Sequence, residues 1–320
     1  MFQVYDDLMF KPAWPLLFSI ASKLSPEDNI SIGPGVVNPY HTHPSLIATN
    51  LACLNEESRG RSFLMIGKGA FHDLFNVEPS RPLRTIREAI EIIFGILSGR
   101  ETSYTGSIFS AKSEARLRWN TPENLGCPPI WIGTWGPKTS ELAGRLKLVS
   151  GVMVSSITDA KYIQFLKDKI EKGARSVGRD PREIEIGCVP GTIVSKDRDK
   201  ARALAREASA VYLPYLDPMP QYLGITNEEI QDVKSVFAKG GDAKSASRFV
   251  SDKAVDSFKL WGTPDDLVEK ISKLVDGGID RINFGFGRGP EDLEGIRLLG
   301  EKVLPHFRQL RDLNTKPFRK

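Results

Sequence analysis

The sequence GPGVVNPYHTHP, residues 33–44, joins an apolar segment to a segment with helical periodicity. The pattern predicts a strand over residues 29–37 and a helix over residues 44–57. Because His43 directly precedes the proline that opens this helix, we expect His43 to be its cap. His41 and His43 lack the i, i+4 spacing that places two ligands on one helical face, and no third ligand is evident nearby, so no metal site is predicted.

The same alternation of strand and helix extends outward from this stretch in both directions. Strands are predicted at residues 2–6, 29–37, 61–67, 129–133, 148–154, 184–194 and 281–285, mostly with helical patterns between them. Such alternation predicts a parallel α/β sheet. Seven βα units are counted, whereas a closed barrel needs eight, and the missing unit belongs at the front because residue 2 already lies in a strand. A doubly wound open sheet remains possible, but it would want a glycine-rich turn where Asp6 and Asp7 stand.

The composition is that of an ordinary globular protein, with 40% hydrophobic and 26% charged residues in 320. A formal charge of +4 favours anionic small ligands, and because basic and acidic residues are interspersed it does not predict a nucleic-acid partner. No apolar run reaches 18 residues and no signal peptide is visible, so we expect no membrane association. Three widely spaced cysteines without C-x-x-C spacing indicate free thiols in a cytoplasmic protein.

In parallel α/β folds the functional site lies at the carboxyl ends of the strands, and several of those ends here are rich in glycine. Glycines punctuate such turns anyway, but several on one edge predict close approach of a flat or phosphorylated ligand. The turn at residues 133–139, GTWGPKT, combines the start of a helix with hydroxyl and lysine side chains, which suits a phosphate. The alternative is an ordinary helix with Pro137 in its first turn. His72, beyond the Gly67–Gly69 turn, is a candidate for acid–base work.

Four segments of the chain resemble a known family. They are GPGVVNPYHTHP (33–44), RSFLMIGKG (61–69), PPIWIGTWGPKTSELAGRL (128–146) and LWGTPDDLVEKISKLVDGGIDRINFGF (260–286). Together they are similar to the bacterial-luciferase-like superfamily, and within it to the branch of methylenetetrahydromethanopterin reductase, which uses the deazaflavin coenzyme F-420. The resemblance spans nearly the whole chain.

The resemblance implies a single luciferase-like (β/α)8 barrel over residues 1–320, with a helical insertion at about 213–260 covering the pocket. Residues 2–6 match the family's second strand, so the first βα unit of the TIM-type barrel is missing. A non-proline cis peptide is expected between Gly35 and Val36, backing the deazaflavin ring. Homologues usually dimerise, so a homodimer is expected.

The resemblance also assigns the site residue by residue. Asp6 is expected near the cofactor, Asn38 near the polar edge of the ring, the Gly67 turn beside the ring, and the Thr134–Thr139 turn around the phosphate. The predicted cofactor-binding residues are Asp6, Gly35, Val36, Asn38, Gly67, Lys68, Gly69, Thr134, Trp135, Gly136, Pro137, Lys138 and Thr139. Many relatives have histidine where this chain has Asp7, and some have an acid where it has Ala70. Asp7 and His72 are therefore the candidate proton donors.

The predicted function is an oxidoreductase that transfers hydride between coenzyme F-420 and an organic substrate. In such chemistry the cofactor performs the difficult step, and the protein supplies orientation and electrostatics. An FMN-dependent luciferase-like monooxygenase is the alternative, because FMN also carries a phosphate. A non-catalytic cofactor-binding relative is a further alternative, which Asp7, Ala70 and the short N-terminus favour.

Overall fold

The computed structural model of the chain describes residues 1–6, 11–99, 103–119, 125–286 and 290–307. The chain divides into two compact units. The first comprises Met1–Met153 and Lys169–Glu185, and the second comprises Val154–Asp168 and the described residues from Ile186 onward. Asp7 lies outside the described residues.

Up to residue 183 strand and helix alternate as the hydrophobic pattern predicts, except for two short strands, Tyr104–Thr105 and Ser110–Ala111, that the pattern did not predict. The elements are β1 (Phe2–Val4), α1 (Ala13–Ala21), β2 (Ile32–Val37), α2 (Pro44–Glu57), β3 (Leu64–Gly67), α3 (Pro82–Leu97), β4 (Tyr104–Thr105), β5 (Ser110–Ala111), β6 (Ile130–Gly133), α4 (Pro137–Arg145), β7 (Val149–Ser155) and α5 (Ala160–Arg175). Short 3-10 helices also lie in this part, at His72–Phe75 and Pro181–Glu183.

The first unit is built on five parallel strands in the order β1-β2-β3-β6-β7. All four residues of β3 are buried, which explains its continuous apolar sequence. Helices supply the other wall of the core, since α3 buries Ile86, Ile90 and Ile93 on the face that its helical periodicity predicts. The expected parallel α/β architecture is therefore confirmed.

The pairing of β2 with β3 is irregular at one residue. Gly35 pairs with Met65 and Val37 with Ile66, so Val36 is extra in its strand and forms a β-bulge. The peptide bond between Gly35 and Val36 is cis, as the resemblance implies.

From residue 185 the elements are β8 (Glu185–Val189), β9 (Gly191–Val194), α6 (Arg198–Tyr212), α7 (Met219–Leu223), α8 (Asn227–Ala238), α9 (Ala243–Ser247), α10 (Asp252–Phe258), β10 (Lys259–Gly262), α11 (Pro264–Asp276), β11 (Arg281–Ile282), β12 (Gly285–Phe286) and α12 (Pro290–Leu298). In the second unit β9 pairs in parallel with β10 and β12, and β8 pairs with β11. Its core includes Leu260, Leu267 and Ile271. The single strand predicted at 184–194 is split at Pro190, which has no N–H to donate to a ladder.

No helix among the described residues is long and apolar enough to cross a membrane.

Candidate cofactor site

The ends of three neighbouring strands in the first unit meet at the side chain of Val36. A Cβ added to Gly133, at the end of β6, would stand 2.2 Å from Val36 Cγ1. A Cβ on Gly67, at the end of β3, would stand 2.7 Å from the carbonyl oxygen of Gly133 and 3.4 Å from Val36 Cγ1. The valine therefore occupies the space that a side chain at Gly133 would need, and the Gly133 carbonyl oxygen occupies the space that one at Gly67 would need. Val36 and Gly67, two of the predicted cofactor-binding positions, thus lie together.

Asp6 lies beside this valine. Its backbone N–H donates to the carbonyl oxygen of Val36 at 3.4 Å, and its Oδ1 accepts a hydrogen bond from the N–H of Ala13 at 3.1 Å. Ala13 is the first residue of α1, whose own N-cap, Pro12, provides no side-chain hydrogen bond. Asp6 thus supplies the acceptor that the helix start lacks, a structural task that the sequence did not indicate.

Asn38, directly after β2, is 2% exposed and oriented by its own loop. Its Oδ1 accepts hydrogen bonds from the backbone N–H groups of Tyr40 at 3.2 Å and His41 at 3.1 Å. Gly69 packs against it with φ +80°, and a Cβ there would stand 2.8 Å from Asn38 Nδ2. Only glycine meets both requirements at this position.

A chain of hydrogen bonds connects Asn38 to the turn after β3 through two histidines. Asn38 Nδ2 is 3.2 Å from His41 Nδ1, and His41 Nε2 is 3.2 Å from His72 Nδ1. His72 Nε2 in turn is 2.8 Å from the carbonyl oxygen of Lys68. The structure therefore joins Asn38, the Gly67–Gly69 turn and His72, which sequence reasoning placed separately.

His72, the candidate for acid–base work, is only 6% exposed, in the 3-10 helix from His72 to Phe75. The ring of Tyr40 meets it edge-on at 5.5 Å. Burial and the neighbouring His72 lower the pKa of His41, and the charge of Asp6 opposes that shift. Sequence reasoning missed His41 after excluding a metal. Its position three residues after Asn38 was the signal that could have found it.

His43 performs the predicted role. Its Nδ1 accepts a hydrogen bond from the N–H of Ser45 at 3.2 Å and so caps α2. Over the described ranges, no group of three or more His, Cys, Asp or Glu side chains is arranged to hold a metal ion.

The turn from Gly133 to Thr139 ends in an open helix start. The N-cap of α4 is Gly136, and among the described residues no side chain caps this helix. The hydroxyl of Thr134 accepts from the N–H of Gly136 at 2.9 Å, and a Cβ on Gly136 would lie 3.7 Å from that hydroxyl and 3.9 Å from the hydroxyl of Thr139. Lys138 is exposed. Free N–H groups, two hydroxyls and a cation around a helix start form an arrangement that accepts a phosphate.

A further buried carboxylate organises the segment that follows α3. Glu88 is 2% exposed. Its two oxygens accept hydrogen bonds from the N–H groups of Ser107, Ile108 and Phe109 at 3.1, 2.8 and 2.9 Å. Burial disfavours ionisation, but these bonds outweigh it and lower the pKa of Glu88. The ring of Phe109 thereby meets that of His43 edge-on at 5.6 Å.

These observations define a parallel α/β protein with its glycine-rich turns gathered at the strand ends. The luciferase-like monooxygenase family matches residues 21–281, most of the chain, and the chain belongs to this family.

Two proteins and one solved structure are similar to this chain over most of its length. The chain is 32% identical over 286 residues to 5,10-methylenetetrahydromethanopterin reductase of Archaeoglobus fulgidus, covering 87% of this chain and 83% of that protein. It is 28% identical over 289 residues to the F-420-dependent glucose-6-phosphate dehydrogenase of Microbacterium testaceum, covering 88% and 80% of the two proteins. The solved structure of coenzyme F-420-dependent tetrahydromethanopterin reductase from Methanopyrus kandleri superposes with a TM-score of 0.83 at 27% identity, covering 96% of this chain and 90% of that one.

Proposed function

We propose that this chain is an oxidoreductase that uses coenzyme F-420 to transfer hydride to or from an organic substrate. The observation that carries the proposal is that Gly133 belongs to two features at once. It lies under the side chain of Val36, and it begins the turn that leads to the open start of α4. One short segment therefore contacts Val36, on which a flat ring would rest, and leads to the helix start, where a phosphate would bind.

The residues present fit this cofactor. Val36 and the glycines around it offer an apolar surface that backs a ring, and the N–H groups of Lys138 and Thr139, the hydroxyl of Thr139 and the charge of Lys138 would hold the phosphate. The bound deazaflavin would supply the hydride chemistry. The tasks of the protein are then to fix the ring against Val36, to anchor the tail at α4 and to exclude water from the reacting face. The relatives named as F-420-dependent enzymes support this choice of cofactor.

The proposal extends to the architecture and setting of the protein. The strands belong to a luciferase-like (β/α)8 barrel, a single domain whose second strand is β1 and whose helical insertion spans about residues 213–260. The chain works in the cytoplasm as a homodimer with a small-molecule substrate. The parallel pairing of β1 with β2 and the similarity to the Methanopyrus kandleri enzyme support the barrel, and light scattering of the purified protein tests the dimer.

Titration of the purified protein with coenzyme F-420 and, separately, with FMN tests the cofactor through the change in cofactor fluorescence. We expect micromolar binding of the deazaflavin and binding of FMN at least tenfold weaker. The reverse preference would favour the monooxygenase alternative, and absence of binding by either cofactor would contradict an F-420-dependent activity.

A further inference from the structure

The chain of hydrogen bonds through His41 and His72 can run in only one direction. At one end the carbonyl oxygen of Lys68 can only accept, so His72 Nε2 carries a hydrogen and donates it. At the other end Asn38 must present its NH2 group, because its oxygen already accepts from two backbone N–H groups. His41 Nδ1 is therefore an acceptor.

The positions of the hydrogens between the two histidine rings follow from those at the two ends of the chain. Neutral His72 with a hydrogen on Nε2 has a lone pair on Nδ1, and neutral His41 with a lone pair on Nδ1 has a hydrogen on Nε2. These two atoms are the pair that lie 3.2 Å apart, so each donor in the chain faces an acceptor. The two histidines are thus both neutral and both in the Nε2–H tautomer.

A proton added to either ring breaks the chain. Protonated His72 would set a hydrogen on Nδ1 against the hydrogen on His41 Nε2. Protonated His41 would set a hydrogen on Nδ1 against the NH2 group of Asn38. Reversing the His41 tautomer only moves the conflict from the contact with His72 to the contact with Asn38. Rotation of the Asn38 amide does not remove the conflict, because its oxygen would lose the two backbone N–H donors.

The chain ends on the backbone of the turn predicted to lie beside the cofactor ring. Because the peptide unit is planar and trans, a Lys68 carbonyl held towards His72 directs the N–H of Gly69 to the opposite side. Resting on the proposed function, we propose that His41 is a positioning residue that, through His72, holds the Lys68–Gly69 peptide in the orientation that coenzyme F-420 binds, and that acidification releases this peptide.

The charged and titratable groups around the pair bear on its response to pH. Asp6 favours a proton on His41, but burial and the adjacent ring outweigh it and lower the His41 pKa. Burial raises the pKa of Tyr40, whose ring contacts His72, so Tyr40 stays neutral. Lys68 and Asp73 are near the two histidines in the sequence. Both side chains are exposed, so solvent screens their charges.

The first experiment tests the chain without any cofactor. In 15N-histidine-labelled protein, long-range 1H–15N spectra report the tautomer of each ring, and the His41→Gln and His72→Gln variants assign the signals. We expect the Nε2–H tautomer for both rings at pH 8, and proton uptake by His41 at a lower pH than that of an ordinary histidine. An Nδ1–H tautomer in either ring, or proton uptake by His41 at the ordinary histidine value near 6.5, would overturn the chain.

The second experiment measures coenzyme F-420 affinity from pH 8 to pH 5.5 by fluorescence titration. Wild-type affinity should fall at least fivefold across this range as the pair takes up a proton. His41→Leu removes the donor to His72, so it should lose about three- to tenfold in affinity already at pH 8. His41→Gln retains a donor and can turn its oxygen towards a protonated His72, so it should bind as the wild type does at pH 8 and lose less on acidification. His306→Gln, the same change at an exposed histidine, should match the wild type throughout.

The outcomes separate this inference from the function on which it rests. If the wild type binds the coenzyme and all four proteins share one pH profile, the positioning role is wrong and the cofactor assignment stands. If no protein binds the coenzyme at any pH, the proposed function and the role both fail, and the tautomers still decide whether the chain exists.

Discussion

The side chain of Val36 lies over Gly133, with Cγ1 2.2 Å from where a Cβ on that glycine would stand. Two residues almost a hundred positions apart therefore share one space. The bulge in β2 places the valine there, and the glycine at the end of β6 leaves room for it. Changing either residue tests the surface on which the proposed ring would rest.

Gly133→Ala should displace Val36 and lower the free energy of unfolding by about 1–3 kcal/mol, because an added methyl in a filled space strains its surroundings. Coenzyme F-420 should bind at least tenfold more weakly. Val36→Ala in the same chain should recover part of the stability, and a thermodynamic cycle from thermal denaturation measures that coupling. Gly300→Ala is the control, since a Cβ there would meet no atom within 4 Å. Equal effects of the two glycine changes would contradict the arrangement.

The double change Thr134→Val and Thr139→Val removes both hydroxyls around Gly136 at nearly constant volume. We expect at least a tenfold loss of affinity for coenzyme F-420, because its phosphate loses a hydroxyl donor and the turn loses the acceptor that orients it. The dephosphorylated deazaflavin fragment serves as the control ligand. Fluorescence titration should give it the same affinity for variant and wild type, and a parallel loss for both ligands would place the phosphate elsewhere.

Glu88→Gln should lower the free energy of unfolding by about 1–3 kcal/mol, because an amide oxygen accepts fewer and weaker bonds than the carboxylate. The folded-state pKa of Glu88 lies below its ordinary value, 4.5. Its contribution is thus complete above that pH and is lost as the pH falls through the folded-state value. Urea denaturation at pH 7 and at pH 3 should show the difference between wild type and variant shrinking in acid. Glu57→Gln, on an exposed position of α2, should behave as the wild type at both pH values.

Lys259→Met should stabilise the protein at neutral pH. Lys259 is 4% exposed at the start of β10, and burial lowers its pKa to about 8. Its ammonium group lies over the ring of Tyr212, 5.2 Å from the centroid. A lysine whose folded-state pKa is lowered destabilises the fold most when charged, so the gain of about 1–3 kcal/mol should hold below pH 8 and disappear towards pH 10.5. Lys239→Met, at an exposed site, should bring no such gain at either pH. If Lys259→Met leaves the free energy of unfolding unchanged or lowers it, the charge of Lys259 is compensated in the fold.

What could be predicted from the sequence was local. The helix at Pro44–Glu57 has the predicted bounds because His43, a proline and an amphipathic pattern mark its start and length. Thr263 and Asp266 form the capping box that starts α11. The cis bond at Gly35–Val36 came from the family resemblance, and nothing in residue spacing would have located it.

What could not be predicted depends on contacts between distant segments. His41 and His72 are 31 residues apart, and no periodicity links the loop that carries one to the 3-10 helix that carries the other. Glu88 lies in an ordinary helical pattern, and only the folded chain shows that its neighbours are backbone N–H groups some twenty residues further on. A sequence shows that such residues can form hydrogen bonds. Their partners depend on which distant segments the fold brings together.

Glu88 holds β4, β5 and the turn between them through one carboxylate on a helix of the core. Three of the bonds come from main-chain N–H groups, which almost any sequence provides, and a fourth comes from the hydroxyl of Ser107. The outer side chains of this hairpin can therefore change while its point of attachment stays the same, except at Gly106, where a Cβ would collide with Glu88 Oε2 and the carbonyl oxygen of Phe109. A new sequence could thus be written onto the outside of this hairpin without moving it, as long as Glu88 and Gly106 are kept.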